Sequence, residues 1–307
     1  MLIKKSSKKI PLVSIAFMLK YWGPTLDYFF KGIRSQKLKY PYEIVAIYYG
    51  NDDELYKKIK SLTTKVKRID PKDYNCGSTR DLACSNSSGK YIVTVSVDSI
   101  PLNNKWLENM VEPLIKGKAD VVQGGVQCPE KGNPNYPDFF YWERDFGFYF
   151  TSEGKAFFKK YGDISDYGSY GLAAPNLAFT KKVWTKTGFS GVRYNGDNIF
   201  QKRISENHFK AVFKDNAVVL HAHSYKTIRS LFNRCSNEGL AWADLKYKYK
   251  LITMLKDILR IDLHLKVLMA FLNGELKYNA EIFFIFIRPI GLFWGSNFAK
   301  SLYSDSR

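Results

Sequence analysis

The first 125 residues alternate short β-branched apolar runs with amphipathic segments, and this alternation limits the fold more than any other feature of the sequence. The apolar runs predict five strands, at 12–18, 42–49, 66–69, 91–97 and 120–124. The segments between them predict four helices, at 25–35, 52–61, 78–87 and 105–116. Strands and helices of these lengths in alternation are typical of a parallel, doubly wound sheet. We therefore predict an α/β fold with a mostly parallel sheet flanked by helices.

The rest of the chain divides into an irregular stretch, a return to order and a helical end. Residues 127–170 are rich in Gly, Pro, Tyr and Phe, and a loop of this length is usually functional or mobile. Its aromatic run, Phe140 to Trp142, suits either packing or stacking on a sugar. Ordered segments resume with strands at 176–179 and 217–220 and helices at 181–187 and 198–207. Helices at 227–247 and 251–271 predict a C-terminal helical extension, so we divide the chain into domains 1–226 and 227–307.

Charge and composition narrow the class of protein. Lysine and arginine outnumber aspartate and glutamate by 47 to 29, a formal net charge of +18. This balance favours a polyanionic partner, which is nucleic acid, an anionic lipid surface or a phosphorylated substrate. The four cysteines form no C-x-x-C pair, which favours free thiols in a reducing cytoplasm. No run of 18 uncharged apolar residues predicts a transmembrane helix.

Polar side chains stand where predicted strands end or where a predicted helix begins. Asp98 follows the strand at 91–97, and His221 and His223 follow the strand at 217–220. Asp197 precedes the helix at 198–207. Because the carboxyl ends of strands form the ligand-binding edge of an open α/β sheet, these positions predict a catalytic site. The plainer alternatives are a turn cap for Asp98, a helix N-cap for Asp197 and structural roles for the histidines.

The order of these motifs resembles family 2 glycosyltransferases of the GT-A fold, in particular the rhamnosyltransferase-like branch of bacterial surface-polysaccharide enzymes. The resemblance covers about residues 11–239. It depends on the strand at 13–15, the segment Gly-Ser-Thr-Arg-Asp at 77–81, the run Asn-Leu-Ala-Phe at 176–179 with Trp184 and Gly188, Asp197, and the segment His-Ala-His-Ser-Tyr at 221–225.

This resemblance implies an inverting glycosyltransferase in O-antigen or capsule assembly, with rhamnose as one candidate sugar. It implies a nucleotide-diphosphate sugar as donor, a saccharide or lipid-linked saccharide as acceptor, and a divalent cation, Mg²⁺ or Mn²⁺, as cofactor. The implied roles are metal binding for Asp98, His221 and His223, donor binding for Arg80, Asp98 and Asp52, and general base for Asp197. Because the chain turns after residue 220, we expect only one of the two histidines to act.

The sequence departs from the family pattern at three places. Tyr48 to Asn51 replace an aspartate that usually addresses the base, which shifts that role to Asp52 or Asp53. The metal-binding Asp-x-Asp is reduced to Ser96, Val97 and Asp98. Gly196 replaces the glutamate of a Glu-Asp pair. The last two changes remove carboxylates from the implied metal site.

Two other functions compete with this interpretation. A nucleotidyltransferase on a related fold needs a Gly-rich, basic loop after the first strand, and residues 20–24, Lys-Tyr-Trp-Gly-Pro, match that requirement poorly. A basic nucleic-acid-binding protein would explain the charge, but the lysines are scattered and no known binding motif is present. We therefore expect no nucleic acid as a partner.

The C-terminal extension combines apolar and basic residues. Residues 251–271 mix leucines with Lys256, Arg260 and Lys266, and residues 282–294 form a Phe-rich block too short to span a bilayer. Apolar area next to basic groups predicts peripheral binding to an anionic membrane surface, on the inner face of the cell membrane. The alternative is that these segments pack on the catalytic domain or on a second subunit, which makes an oligomer.

Overall fold

We describe the protein from a computed structural model. The structure describes residues 10–23, 25–130, 133–136, 151–162, 171–192 and 194–299. The aromatic run at residues 140–142 lies outside these ranges, so its predicted role stays a prediction.

Eight strands form one sheet in the described residues. They are β1 (Val13–Leu19), β2 (Tyr42–Tyr48), β3 (Lys65–Arg68), β4 (Tyr91–Val95), β5 (Ser99–Pro101), β6 (Val121–Gln127), β7 (Asn176–Thr180) and β8 (Ala211–His221). The helices of the N-terminal 210 residues are α1 (Leu26–Arg34), α2 (Asp53–Leu62), α3 (Cys76–Asn86), α4 (Trp106–Ile115), α5 (Ser152–Tyr161), α6 (Lys181–Thr187) and α7 (Gly196–Glu206). The later helices are α8 (Ile228–Asp244), α9 (Leu251–Ile258), α10 (Ile261–Leu272), α11 (Asn279–Ile282) and α12 (Phe284–Asn297).

The sheet is mixed but mostly parallel, as predicted. Its strand order is β3-β2-β1-β4-β7-β6-β8-β5. Strands β1 to β4 are parallel to one another, and β6 is parallel to β8. Strand β7 is antiparallel to both β4 and β6, and β5 is antiparallel to β8. The carboxyl ends of β1, β2, β4, β6 and β8 therefore meet at one edge of the sheet, where ligand sites of such sheets form.

Two apolar layers cover the two faces of the sheet, because successive side chains of a strand point to opposite faces. Along β1, Ile15 and Phe17 pack with α1, α2 and α4. The intervening Ala16 packs in a separate cluster with side chains of α3, α6 and α7. Burial on both faces explains why β1, β2 and β4 are continuous apolar runs.

A third apolar cluster joins the C-terminal helices to α5. Phe157 of α5 lies in this cluster with Trp242 of α8, Leu263 of α10 and Leu292 of α12. Helices α8 and α12 approach closely at Gly239, because a Cβ atom there would collide with the backbone carbonyl of Leu292. The cluster also contains Val192, so it extends across residue 226. The predicted domain boundary at 226/227 stays a prediction.

Four predictions about individual elements need correction. Residues 99–101 form an edge strand where the alternative of a turn cap for Asp98 placed a turn, and an edge strand tolerates the missing N–H of Pro101. Strand β8 begins at Ala211 instead of residue 217. The predicted helix at 251–271 is two helices that break at Leu259 and Arg260. Helix α5 lies inside the stretch that was predicted to be irregular.

No described helix is long and apolar enough to cross a membrane.

Candidate active site

Asp98, His221 and His223 come together at the carboxyl edge of the sheet. Asp98 lies three residues beyond β4, and pairing of β5 with β8 places Ser99 opposite His221. Asp98 Oδ1 is 3.3 Å from His221 Nδ1, and Asp98 Oδ2 is 3.9 Å from His223 Nε2. One potential ligand atom from each side chain lies within 4.8 Å of those of the other two. Both histidines are therefore within reach of one ion, and the prediction that only one of them acts stays a prediction.

The electrostatics of this cluster favour an ionised carboxylate. Burial opposes the charged form of Asp98, but His221 and then His223 act against burial and hold the pKa of Asp98 well below its usual range. The Asp98 side chain is still 34% exposed, so a ligand can reach it. Ser99 Oγ lies 3.1 Å from His221 Nδ1 and helps to orient that ring.

The donor set is one carboxylate oxygen and two imidazole nitrogens. Transition metals accept such a mixed set, whereas Mg²⁺ prefers oxygen ligands. Of the two cations that the resemblance implies, Mn²⁺ is the better fit to these residues. A nucleotide diphosphate would add the oxygen ligands that the protein lacks here.

Tyr136 lies directly behind the cluster and was not predicted from the sequence. Its hydroxyl is 2.5 Å from the carbonyl oxygen of Asp98 and 2.6 Å from that of Leu220, the residue before His221. The ring is 5% exposed. Burial first, and the charge of Asp98 second, raise the pKa of Tyr136 far above its usual range, so the hydroxyl stays a donor. No sequence pattern singled out this tyrosine, because it stands in an irregular stretch of Asn and Pro.

Arg80 shares a small cleft with Asp98. The cleft has a volume of about 240 Å³ and is lined by β1, by the start of α3 and by residues 95–98. The Arg80 guanidinium lies 5.2 Å from the ring centre of Phe189. A partly buried guanidinium that shares a cleft with a potential metal ligand suits a phosphate group. The structure thus brings Arg80 and the Asp98 cluster into one site.

Asp197 lies in the first turn of α7, and the positive charge of Arg80 stabilises its ionised form. The N-cap residue of α7 is Asn195, in the left-handed conformation at φ 52°, so the alternative of Asp197 as an ordinary N-cap does not hold. Burial raises the pKa of Asp197, although Arg80 and backbone N–H groups oppose the rise. A carboxylate with a raised pKa is a stronger base than an exposed one.

Asp81 connects the Arg80 helix to the segment that leads to Asp197, and sequence reasoning gave it no role. Its carboxylate accepts hydrogen bonds from Trp184 Nε1 at 2.8 Å and from the backbone N–H groups of Phe189 and Ser190 at 2.9 Å each. This anchor holds residues 188–190 against α3. Asp81 therefore fixes the relative position of Arg80 and α7.

Asp52 lies outside the Asp98 cluster, beside a second and larger cavity. Its Oδ1 caps α2 by accepting from the N–H of Leu55 at 2.9 Å. The cavity, of about 1430 Å³, lies at the carboxyl ends of β1 and β2. Tyr49 and Tyr74 stack at 3.9 Å between ring centres and line both this cavity and the smaller cleft. The two cavities therefore share one aromatic wall.

Comparison with known proteins gives matches over most of the chain. The family model of Glycosyl transferase family 2 matches residues 18–174. The O-antigen chain rhamnosyltransferase RfbN of Salmonella typhimurium is 27% identical over 232 residues, which are 71% of this chain and 67% of the relative.

Two solved structures share the fold. A mannosyltransferase from Pyrobaculum calidifontis, in complex with GDP-Man and Mn²⁺, has a TM-score of 0.54 at 13% identity and matches 94% of this chain and 86% of its own. Glucosyl-3-phosphoglycerate synthase from Mycobacterium tuberculosis, in complex with Mg²⁺ and UDP, has a TM-score of 0.54 at 13% identity and matches 76% of this chain and 78% of its own. These likenesses confirm the predicted fold class.

Proposed function

Because this chain belongs to glycosyltransferase family 2, we propose that it transfers a sugar from a nucleotide-diphosphate donor to a saccharide or lipid-linked saccharide, with inversion at the anomeric carbon. Membership in the family confirms the predicted resemblance and the predicted class of enzyme. The likeness to an O-antigen rhamnosyltransferase supports rhamnose as the sugar and surface-polysaccharide assembly as the process.

The observation that carries the proposal is the position of Asp98, His221 and His223 beside Arg80 at the carboxyl edge of the sheet. The three side chains would hold a divalent cation, with Mn²⁺ preferred by their mixed donor set. When bound, that cation neutralises negative charge on the departing diphosphate. Arg80 faces the same cleft and would hold a phosphate oxygen by a charge-assisted hydrogen bond.

The larger cavity is our candidate for the nucleoside. It adjoins the cleft along the stacked rings of Tyr49 and Tyr74, so a donor can place its nucleoside there and its diphosphate beside Arg80. Asp52 lines this cavity with its carboxylate on the N–H of Leu55. The large cavity accordingly supports Asp52 as a donor-binding residue.

Asp197 is our candidate for the general base. Its carboxylate would take the proton from the acceptor hydroxyl while that oxygen attacks the anomeric carbon. The bond from the anomeric carbon to the diphosphate oxygen breaks on the opposite face, and the electron pair leaves with the diphosphate. The raised pKa of Asp197 supports this role, because burial makes the carboxylate a better proton acceptor.

The C-terminal helices support peripheral binding to a membrane. In the described part of the chain, 15 of the 21 large apolar side chains that are exposed lie within residues 251–298. They form helical stripes, such as Ile261, Leu265, Leu268 and Leu272 on α10. Monomeric soluble proteins rarely expose so many apolar side chains together.

Basic residues beside these stripes favour a negatively charged surface as the partner. Lys256 and Lys266 are exposed on α9 and α10, next to the apolar side chains, and Lys246, Lys248 and Lys250 precede them. Each basic group near an anionic bilayer contributes about 1 kcal/mol to binding. We therefore favour the inner face of the cell membrane, where a lipid-linked acceptor would be met, over a second copy of the chain as the covering surface.

A panel of nucleotide sugars tests the activity. Thermal unfolding is measured with dTDP-rhamnose, UDP-glucose, UDP-galactose and UDP-N-acetylglucosamine, each with and without Mn²⁺ or Mg²⁺. We expect one donor to raise the melting temperature more strongly with Mn²⁺ than with Mg²⁺ or with no metal. If no nucleotide sugar stabilised the protein under any of these conditions, the proposal would be wrong.

A further inference from the structure

We infer that Tyr136 is a positioning residue for the metal-binding cluster. Its hydroxyl fixes the distance between the two backbone segments that carry Asp98 and His221. The inference rests on the proposed function of that cluster, but it concerns a residue that contributes no ligand atom. It follows from the hydrogen bonds of the hydroxyl, from the shortness of the neighbouring strand pairing and from the packing of the ring.

The hydrogen bonds join both segments at one point. The Tyr136 oxygen lies 2.5 Å from the carbonyl oxygen of Asp98 and 2.6 Å from the carbonyl oxygen of Leu220. A hydroxyl has one hydrogen to donate, so the two carbonyls share it. Without that hydrogen, the two buried carbonyls would lose the donor that they share.

The strand pairing alone does not hold Asp98 in place. Strands β5 and β8 pair over three positions only, and the last pair is Ser99 with His221. At the other end of this ladder the N–H of Leu102 donates to the carbonyl oxygen of Val218 at 3.0 Å, so the pairing is anchored at the end away from Asp98. Asp98 lies one residue beyond the final pair, where the ladder has ended. The hydroxyl of Tyr136 supplies the cross-strand link that the sheet lacks at this position.

The ring of Tyr136 holds the hydroxyl rigidly. It is 5% exposed and packs with Ile100 of β5, with Ala222 and with the partly buried Leu220. These residues alternate along the chain with those of the cluster, since Ala222 stands between His221 and His223. A side chain packed in this way loses little entropy when it forms its hydrogen bonds. The packed ring therefore fixes the position of the hydroxyl, and the hydroxyl fixes the backbone positions of Asp98 and Leu220 beside the metal ligands.

Tyr136→Phe in the full-length protein tests the inference, because it removes the hydroxyl and keeps the ring. Tyr42→Phe is the matched control: the Tyr42 hydroxyl also lies near two carbonyls, at 3.4 Å from Ile33 and Arg34, but at the amino end of β2. Mn²⁺ affinity is measured by electron paramagnetic resonance of the free ion. We expect Tyr136→Phe to weaken Mn²⁺ binding by about 10- to 100-fold, and Tyr42→Phe to leave it unchanged.

A second measurement separates positioning from general loss of structure. Turnover of Tyr136→Phe should recover when the Mn²⁺ concentration is raised, and circular dichroism at the assay temperature should match that of the wild type. Equal Mn²⁺ affinity of wild type and Tyr136→Phe overturns the inference and leaves the proposed metal site intact. A wild-type protein that binds no Mn²⁺, with or without nucleotide, overturns the metal site and the inference with it. Loss of turnover that Mn²⁺ does not restore, in a folded variant, also counts against positioning.

Discussion

The sheet buries its apolar side chains, whereas the C-terminal helices leave many of theirs exposed. In β1, Val13, Ile15 and Phe17 are at most 2% exposed, whereas Leu259, Ile261 and Leu272 of the helical end are each about 70% exposed. The apolar side chains of the sheet are covered by helices on both faces, and its polar groups, such as Asp98 and His221, lie at the carboxyl edge. The helical end packs in one apolar cluster with α5, yet a second set of its apolar side chains stays exposed. The first region thus offers a site for a small ligand, whereas we propose that the second offers a face to a large surface.

The largest expected effect is on the chemistry at the sheet edge. Asp197→Asn should lower turnover by about 10²- to 10⁴-fold because the acceptor hydroxyl loses its base, while donor affinity is kept. Burial raises the pKa of Asp197, so its charge costs stability at neutral pH. The same variant should therefore melt at an equal or higher temperature than the wild type.

Steady-state kinetics and thermal unfolding check both expectations, with the exposed Asp215→Asn as the control for loss of one negative charge. Turnover near that of the wild type would move the base elsewhere. The next candidates would then be Glu206, at the other end of α7, and Asp166, which lies outside the described residues.

The second effect is on the stability of the helical end, with no direct effect on the reaction at the active site. Arg288 is 2% exposed and binds Glu238 through two hydrogen bonds of 2.9 Å. Arg288→Met removes the guanidinium paired with the Glu238 carboxylate, which keeps a hydrogen bond from Trp242, and should lower the free energy of unfolding by about 3–5 kcal/mol. Urea denaturation measures this change. The double variant Arg288→Met/Glu238→Leu should recover most of the loss, and failure to recover it would show that packing of the arginine, not charge pairing, is what matters.

The third effect separates the exposed face of the helical end from the active site. Leu265→Asp with Leu268→Asp should weaken binding to anionic vesicles at least tenfold, because burial of each leucine contributes about 1.5–3 kcal/mol. Turnover on a soluble acceptor should not change. Leu102→Asp is the matched control, since Leu102 is 52% exposed on the catalytic part and Leu268 is 50% exposed.

Flotation with vesicles that contain phosphatidylglycerol measures this binding. Point variants are preferable to truncation at residue 250, because removal of α9 to α12 would open the cluster that holds Phe157. If the wild type fails to float but forms a dimer that the double variant dissociates, the covering surface is a second copy and the membrane proposal is wrong.

The smallest effect is a pH dependence. Asp197 must be ionised to accept a proton, and its pKa is raised by burial. Turnover should therefore fall on the acid side at a pH above the ordinary pKa of an aspartate, which is about 3.9. Stability changes in the opposite direction: the raised folded-state pKa favours folding fully below the unfolded-state pKa, and this contribution is lost as pH rises through the folded-state value. A pH–rate profile at saturating donor concentration checks the prediction for turnover. Unfolding measured over the same pH range checks the prediction for stability.

The degree of burial of each strand explains which strands the sequence could predict. Strands β1, β2 and β4 are buried on both faces, so their apolar runs indicate them directly. Asp98 and His221 were predicted to meet because parallel strands share one carboxyl edge. Strand β5 is three residues long and ends in Pro101, so its sequence resembles a turn. Strand β8 starts with the apolar residues Ala211 to Phe213, but Lys214, Asp215 and Asn216 interrupt the run before residue 217, so the sequence shows only the second half as a strand.

Tertiary contacts between distant residues account for the features that were missed. Tyr136 reaches the Asp98 carbonyl across 38 positions and that of Leu220 across 84. Asp81 reaches Trp184 across 103 positions. Neither contact follows a helical or strand period, because each depends on how whole elements pack. The break of the C-terminal helix at Leu259 and Arg260 likewise has no Gly or Pro to mark it.

The most direct test of the central claim is the metal response of nucleotide binding in Asp98→Asn. Isothermal titration with the donor identified by the panel, with and without Mn²⁺, is compared between wild type, Asp98→Asn and the control Asp215→Asn. We predict that Mn²⁺ strengthens donor binding in the wild type and the control, and that this response is lost in Asp98→Asn. An Asp98→Asn protein that binds the donor with an unchanged Mn²⁺ response would contradict the assignment of the Asp98, His221 and His223 cluster as the metal site.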